Sequence, residues 1–223
     1  MKLIESKNYH GQQAHFYIRE GSTDEEIIND VRVRNFYLDK GFGVFNPGDL
    51  VIDVGGHIGA FAIECAIRGA NVNVYEPDKD NFEILVKNIK ENNFENKISA
   101  FNVAVSNKAG TSKLYIDSQN AGSHSLLKKC VDHESGQAVE VKTAAIKDVL
   151  QSGCKLLKLD CEGAEYKILN GTDLSKVQKI VAELHIREKN EELVKYLELQ
   201  GFDVVWHFGK RMGKLQGVKK NTV

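Results

Sequence analysis

The chain has 223 residues, 27% of them charged and 42% hydrophobic, which suits one domain with a large core and excludes a disordered or membrane-embedded chain. Lys and Arg number 30 against 31 Asp and Glu, a net charge of -1. There is no general positive field, so nucleic acid is not an expected partner.

The opening MKLIESKNYHGQQ lacks the apolar run of a signal peptide, and no later stretch approaches a membrane span, so a cytoplasmic location is expected. Residues 14–19 (AHFYIR) alternate like a strand, 24–40 mix helix and loop, and Asn46-Pro47-Gly48-Asp49 forms a turn. Residues 1–47 read as a leader packing on a core domain that spans 48–223. From Leu50 the pattern is strand (50–54), helix (60–67) closed by Gly69, strand (72–75) and helix (79–92). In the last of these Phe82, Leu85, Val86 and Ile89 fall on one helical face.

Strands follow at 98–103, 113–116 and 139–143, the last two separated by a stretch containing Gly and Ser, and here the pattern looks antiparallel. A helix at 144–151, strands at 155–160 and 179–184, a helix at 190–200 stopped by Gly201 and a strand at 202–208 restore the parallel theme. The expected class is α/β, with helices on both faces of one twisted sheet. The basic residues Lys210, Arg211, Lys214, Lys219 and Lys220 read as solvated surface. Cys65, Cys130, Cys154 and Cys161 form no C-x-x-C pair or zinc spacing, so they are expected to be reduced, with no structural metal.

Three motifs carry chemistry. Asp53-Val54-Gly55-Gly56-His57-Ile58-Gly59 lies where the first parallel strand gives way to a helix, the position at which open α/β sheets bind ligands. Gly55 and Gly56 allow a tight turn, Gly59 allows close helix–strand packing, and Asp53 places a carboxylate at the strand end. Glu76, followed by Pro77, ends the next strand, where a carboxylate can accept hydrogen bonds from ribose hydroxyls. The pair marks a cofactor with an adenosine ribose, whether NAD or S-adenosylmethionine; Glu76 can alternatively serve the start of the following helix.

The third motif is Leu157-Lys158-Leu159-Asp160-Cys161-Glu162-Gly163-Ala164-Glu165, followed by an apolar stretch and Asn170-Gly171. A strand ending in K-x-D-x-E-G-x-E resembles the signature of the FkbM-type methyltransferases. The glycine loop is similar to that family's D-x-G-A-N-x-G, with Gly56 and His57 in place of the usual Ala and Asn. Further similarities are Glu76-Pro77, Ala104-Val105-Ser106, Gly122-Ser123-His124-Ser125-Leu126 and Glu183-Leu184-His185. The resemblance implies a class I methyltransferase (Rossmann-like) fold of seven main strands, mostly parallel with the last antiparallel. It also implies methyl transfer from S-adenosylmethionine to an oxygen of a small metabolite or glycan. By position in the motifs, Asp53, Gly55 and Gly59 would hold the methionine part, Glu76 the ribose and Asn102, Val103 and Ala104 the adenine, with Gly56, His57 and Pro77 also in the cofactor site and Asp160 beside the sulfonium.

A hydroxyl nucleophile needs help losing its proton. Asp160, Glu162, Glu183 and His185 are candidates at neighbouring strand ends, with His185 the expected general base because its ordinary pKa is near neutral. Lys158, in an otherwise apolar strand, is expected to form an internal ion pair. The same acids and histidine could instead hold a divalent ion. Two alternatives are an NAD-dependent oxidoreductase, against which the missing G-x-G-x-x-G argues, and a non-catalytic S-adenosylmethionine-binding protein. Neither the acceptor nor the oligomeric state follows from these residues.

Overall fold

The computed structural model describes residues 1–117, 120, 122–131, 134–185, 187–209 and 213–220. The chain opens with a hairpin, β1 (Lys2–Lys7) and β2 (Gln13–Ile18), and a helix, α1 (Asp24–Arg32). There follow β3 (Leu50–Val54), α2 (Ala60–Ile67), β4 (Asn71–Tyr75), α3 (Lys79–Glu91), β5 (Ile98–Phe101), β6 (Ala104–Ser106), β7 (Gly110–Asp117) and β8 (Glu134–Ala145). The rest is α4 (Ile146–Val149), β9 (Cys154–Leu159), α5 (Glu165–Leu169), β10 (Val177–Leu184), α6 (Arg187–Leu199), β11 (Phe202–Phe208) and β12 (Gly213–Lys219).

Seven strands form the main sheet in the order β11-β12-β10-β9-β3-β4-β5. The last strand in the chain, β12, is antiparallel to both of its neighbours, and the other pairings are parallel. Successive strand residues point to opposite faces. Val51 and Leu156 therefore pack in one core layer with α1, α2 and α3, while Ile52 and Leu157 pack in the other with α4, α5 and α6.

Three expectations change. The strand expected over 98–103 divides: β5 ends at Phe101, Asn102 turns back to donate to the Glu76 and Pro77 carbonyls at 2.9 and 3.1 Å, and β6 joins β7 and β8 in a separate three-stranded sheet. The antiparallel pair β7/β8 belongs to that sheet. On α3 the buried face is Asn81, Ile84, Leu85, Asn88 and Ile89, and Val86 is 44% exposed. Asn88 takes the place of an apolar residue because β2 needs a partner for its edge: Tyr17 N–H donates to Asn88 Oδ1 at 2.6 Å, and Asn88 Nδ2 donates to Ile58 O at 2.9 Å.

The N-terminal segment is built into the same core. Phe16, Ile18, Ile28 and Val31 pack in one cluster with Phe61 and Ile63 of α2. Of the basic tail, Lys210 and Arg211 lie outside the described residues, whereas Lys214 pairs with Asp39 at 2.7 Å and Lys220 with Asp203 at 3.3 Å. The four cysteines are free thiols, Cys65 and Cys154 buried and the other two half-buried. Among the described residues no helix is long and apolar enough to cross a membrane.

Candidate active site

The parallel register places the charged centre. Asp53 of β3 and Lys158 of β9 are direct strand partners on one face, so their side chains meet, with Nζ 3.1 Å from Asp53 Oδ1. Lys158 Nζ also donates to Gly55 O at 2.6 Å and lies 3.7 Å from Asp160 Oδ2. Burial works to lower the Lys158 pKa, but the two carboxylates hold it above the ordinary value. Lys158 is thus the internal cation expected of it. Asp53 is fully buried and faces this ammonium rather than open space, and its Oδ2 has no hydrogen-bond partner.

The glycine turn brings backbone where side chains would collide. Gly55 has φ +82°, and a Cβ there would lie 1.7 Å from the Asp160 carbonyl oxygen, so the turn packs directly on the end of β9. Gly55→Ala is expected to push the turn off the end of β9 and lower the melting temperature; an unchanged melting temperature would show that the close approach is not needed. Gly56 and Gly59 are filled on their open sides by Val74 and Leu85. His57, also at positive φ, donates its N–H to Glu76 Oε2 at 2.7 Å. Its ring meets the N-terminal segment, Nε2 lying 3.1 Å from Arg19 and 3.4 Å from Asp24, and burial brings its pKa down to about 4.

Glu76 accepts from His57 N–H with one oxygen and from Asp78 N–H, at 2.9 Å, with the other. Burial outweighs these bonds and raises its pKa to about 7. Asp78, not Glu76, caps α3, accepting from Asn81 N–H at 2.8 Å.

Beyond β9 the loop turns through Glu162 and Gly163, both at positive φ (52° and 95°). Glu165 closes it, accepting from Cys161 and Gly163 N–H at 3.0 and 3.1 Å. Glu165 also holds His185 Nδ1 at 3.1 Å, while His185 Nε2 lies 3.2 Å from Glu162 and 3.7 Å from Glu183. Burial opposes protonation of His185, but the surrounding carboxylates win and raise its pKa to about 11. A histidine drawn towards its charged form by Glu162, Glu165 and Glu183 is a poor proton acceptor, so this setting favours a carboxylate over His185 as the base. Burial and Asp160 raise Glu183 to about 7, and burial raises Glu162 to about 8. Burial would raise Asp160 too, but Lys158, His185 and a tyrosine hydroxyl lower it.

That tyrosine is Tyr37. Its hydroxyl lies 2.8 Å from Asp160 Oδ2 and 2.9 Å from Glu183 Oε2. Asp160, Glu183 and His185 also bring one donor atom each to within 4.8 Å of one another, a spacing open to a divalent ion.

A cavity of about 380 Å³ opens over these groups. Of the residues expected at the site, Gly55, His57, Glu76, Pro77, Ala104, Asp160, Glu162 and Glu183 line it; Asp53, Gly56, Gly59, Asn102, Val103 and His185 do not. Tyr37, Phe36 and Val31 line it as well, from the segment expected only to pack on the core. After β7, Asn120, Gly122, Ser123 and His124 line the cavity too, Thr23 Oγ1 donating to Asn120 Oδ1 at 2.9 Å. Of the segment 102–104 after β5, Ala104 reaches the cavity, followed by Val105 of β6.

Residues 53–204 match the methyltransferase FkbM domain. The chain belongs to the FkbM methyltransferase family. A relative, the 31-O-demethyl-FK506 methyltransferase FkbM of Streptomyces tacrolimicus, is 27% identical, covering 86% of this chain and 83% of its own. Among solved structures, precorrin-6y C5,15-methyltransferase from Geobacter metallireducens GS-15 superposes with a TM-score of 0.50 at 10% identity, over 79% of this chain and 82% of that one. The M. jannaschii tRNA m1G37 methyltransferase gives a TM-score of 0.50 at 15% identity, over 98% of this chain and 55% of that one. These likenesses establish the class I methyltransferase fold. Family membership sets aside the dehydrogenase alternative, and the FkbM match starts at Asp53, so Tyr37 lies outside it.

Proposed function

We propose that the protein transfers a methyl group from S-adenosylmethionine to a hydroxyl oxygen of a small metabolite or glycan, with Glu183 receiving the hydroxyl proton. The observation that carries this is the juxtaposition, in one cavity, of the Gly55 turn and Glu76 with the Tyr37-bridged pair Asp160 and Glu183. The donor's chemistry fits the residues present. Glu76 has a backbone N–H on each oxygen and a further bond from the Asn81 side chain, which leaves acceptor capacity for a ribose hydroxyl. Val54, Pro77, Ala104 and Val105 offer apolar walls for a flat base, and the carboxylate excess suits a sulfonium. Gly55, His57 and Asp160 would hold the methionine end, with Asp53 acting through Lys158.

When bound, S-adenosylmethionine supplies an electrophilic methyl whose departure leaves a neutral thioether. The chain's own task is to hold acceptor and donor in line and to take up one proton. Tyr37 has one hydroxyl proton to donate and two carboxylates to serve, so it orders Asp160 and Glu183. Lys158 keeps Asp160 ionised beside the positive donor. Glu183 is left as the group whose pKa, about 7, suits proton exchange near neutrality.

S-adenosylhomocysteine should raise the melting temperature, since a ligand bound to the native state alone at 100 times its Kd stabilises by about 2.7 kcal/mol. No shift at millimolar ligand would sink the donor assignment. Glu76→Ala should weaken that binding by about 1.5–3 kcal/mol, the usual loss for hydrogen bonds to a charged group. An unchanged Kd in the folded variant would confine Glu76 to supporting the turns at His57 and Asp78. Turnover with labelled donor separates an enzyme from a non-catalytic binding protein.

A further inference from the structure

We infer that the acceptor is a neutral or amine-bearing hydroxyl compound with an apolar flank, and that phosphorylated compounds and nucleic acids are excluded; this rests on the methyltransferase reading above. The part of the cavity left over from the proposed donor contacts is walled by the N-terminal segment, with Ile27, Val31 and Phe36 presenting apolar surface. Such a wall binds a ring face or an alkyl chain beside the reacting hydroxyl.

Apart from two histidines, the charge-bearing side chains described around that space are acids, with Asp160 held ionised by Lys158. Glu26 and Asp30 lie on the α1 side, Asp160, Glu162 and Glu183 lie at the strand ends, and no Lys or Arg is among the described lining residues. Among the described residues, these nearby cations are already engaged. Lys158 is held by Asp53 and Asp160, His185 by Glu162 and Glu165, Arg19 by both oxygens of Asp24 at 3.0 and 2.7 Å, and Arg34 by Asp30. The two lining histidines, His57 and His124, are held towards the neutral form by burial. The nearby start of α3 is already capped by Asp78. Phosphate recognition draws on guanidinium forks, ammonium groups or open helix N-termini. This space offers carboxylates in their place, so an anion here meets like charge at short range. A hydroxyl or an ammonium finds acceptors. One fold serves many acceptors, the superposable tRNA methyltransferase included, so the lining and not the fold makes the selection.

The test uses the full chain, labelled S-adenosylmethionine and three pools from the cells that make the protein. Small molecules not retained by an anion exchanger form the first, those retained form the second, and total RNA is the third. The expected result is labelled product in the unretained pool, at least 10-fold above the other two, with chromatographic mobility unaffected by phosphatase. Label in RNA, or in a retained compound that phosphatase shifts, overturns the acceptor class and leaves methyl transfer intact. No transfer to any pool, by protein whose melting temperature S-adenosylhomocysteine raises, overturns the enzyme reading and the inference with it.

Discussion

Glu183→Gln is expected to lower methyl transfer by roughly 10²–10⁴-fold, the usual cost of losing a general base, while S-adenosylhomocysteine affinity stays unchanged. Glutamine keeps the shape and one acceptor oxygen for the Tyr37 hydroxyl, 2.9 Å from Glu183 in the wild type, but cannot take up a proton at neutral pH. Only the ionised carboxylate can accept the hydroxyl proton. The wild-type rate should therefore fall as pH drops through about 7, where burial and Asp160 place Glu183, and the variant's residual rate should lack that limb. The His185 imidazolium lowers the Glu183 pKa, so His185→Ala should move the acid limb to higher pH rather than remove it. A divalent ion on Asp160, Glu183 and His185 makes a different forecast: a chelator would abolish activity and Mg²⁺ or Mn²⁺ would restore it. Full activity in Glu183→Gln, insensitive to chelator, would remove Glu183 from the chemistry altogether.

The surroundings of His185 and Tyr37 show how little of this arrangement each residue can disclose alone. A histidine two positions after Glu183 at a strand end brings only its ordinary pKa. The carboxylates that set its surroundings, Glu162 and Glu165, arrive from the loop after β9 and the start of α5 and lie 3.2 and 3.1 Å away only once β9 and β10 pair. Tyr37 is harder still. It follows Phe36 in a stretch with no clear periodicity, and its partners are 123 and 146 residues further along the chain. By contrast, β3 (50–54), α2 (60–67) and β11 (202–208) have the bounds expected of them, because glycines, turn residues and unbroken apolar runs mark these segments locally. The antiparallel last strand came from the family resemblance; β12 alternates too weakly to be read by itself. Asn88 shows the opposite failure, a buried helix face disguised by polar residues that bond to backbone.

Glu64→Ala should cost about 3–5 kcal/mol, the usual penalty for leaving a buried charge without its partner. Glu64 lies in the otherwise apolar helix α2, with its side chain and that of Arg32 fully inaccessible and Oε2 2.8 Å from Arg32 NH1. Its Oε1 accepts from Asn8 Nδ2 and Arg68 Nε, both at 2.8 Å. Arg32 continues to Gln12 O at 2.8 Å and Ser6 O at 3.3 Å, so one carboxylate ties α1 and the β1–β2 hairpin to the core domain. With total stabilities near 5–15 kcal/mol, the loss is a large share of the whole and should appear as a lower denaturant midpoint with little change in slope. The cost should come from the uncompensated guanidinium. The double change Arg32→Met with Glu64→Met, which removes both charges and keeps most of the volume, should accordingly recover part of the loss. Because α1 and the turn after it carry Val31, Phe36 and Tyr37 into the cavity, Glu64→Ala should also weaken turnover at denaturant concentrations where the domain is still folded, ahead of global unfolding. A midpoint within about 1 kcal/mol of wild type, with activity and unfolding coincident, would show that the N-terminal segment is held by its apolar contacts alone.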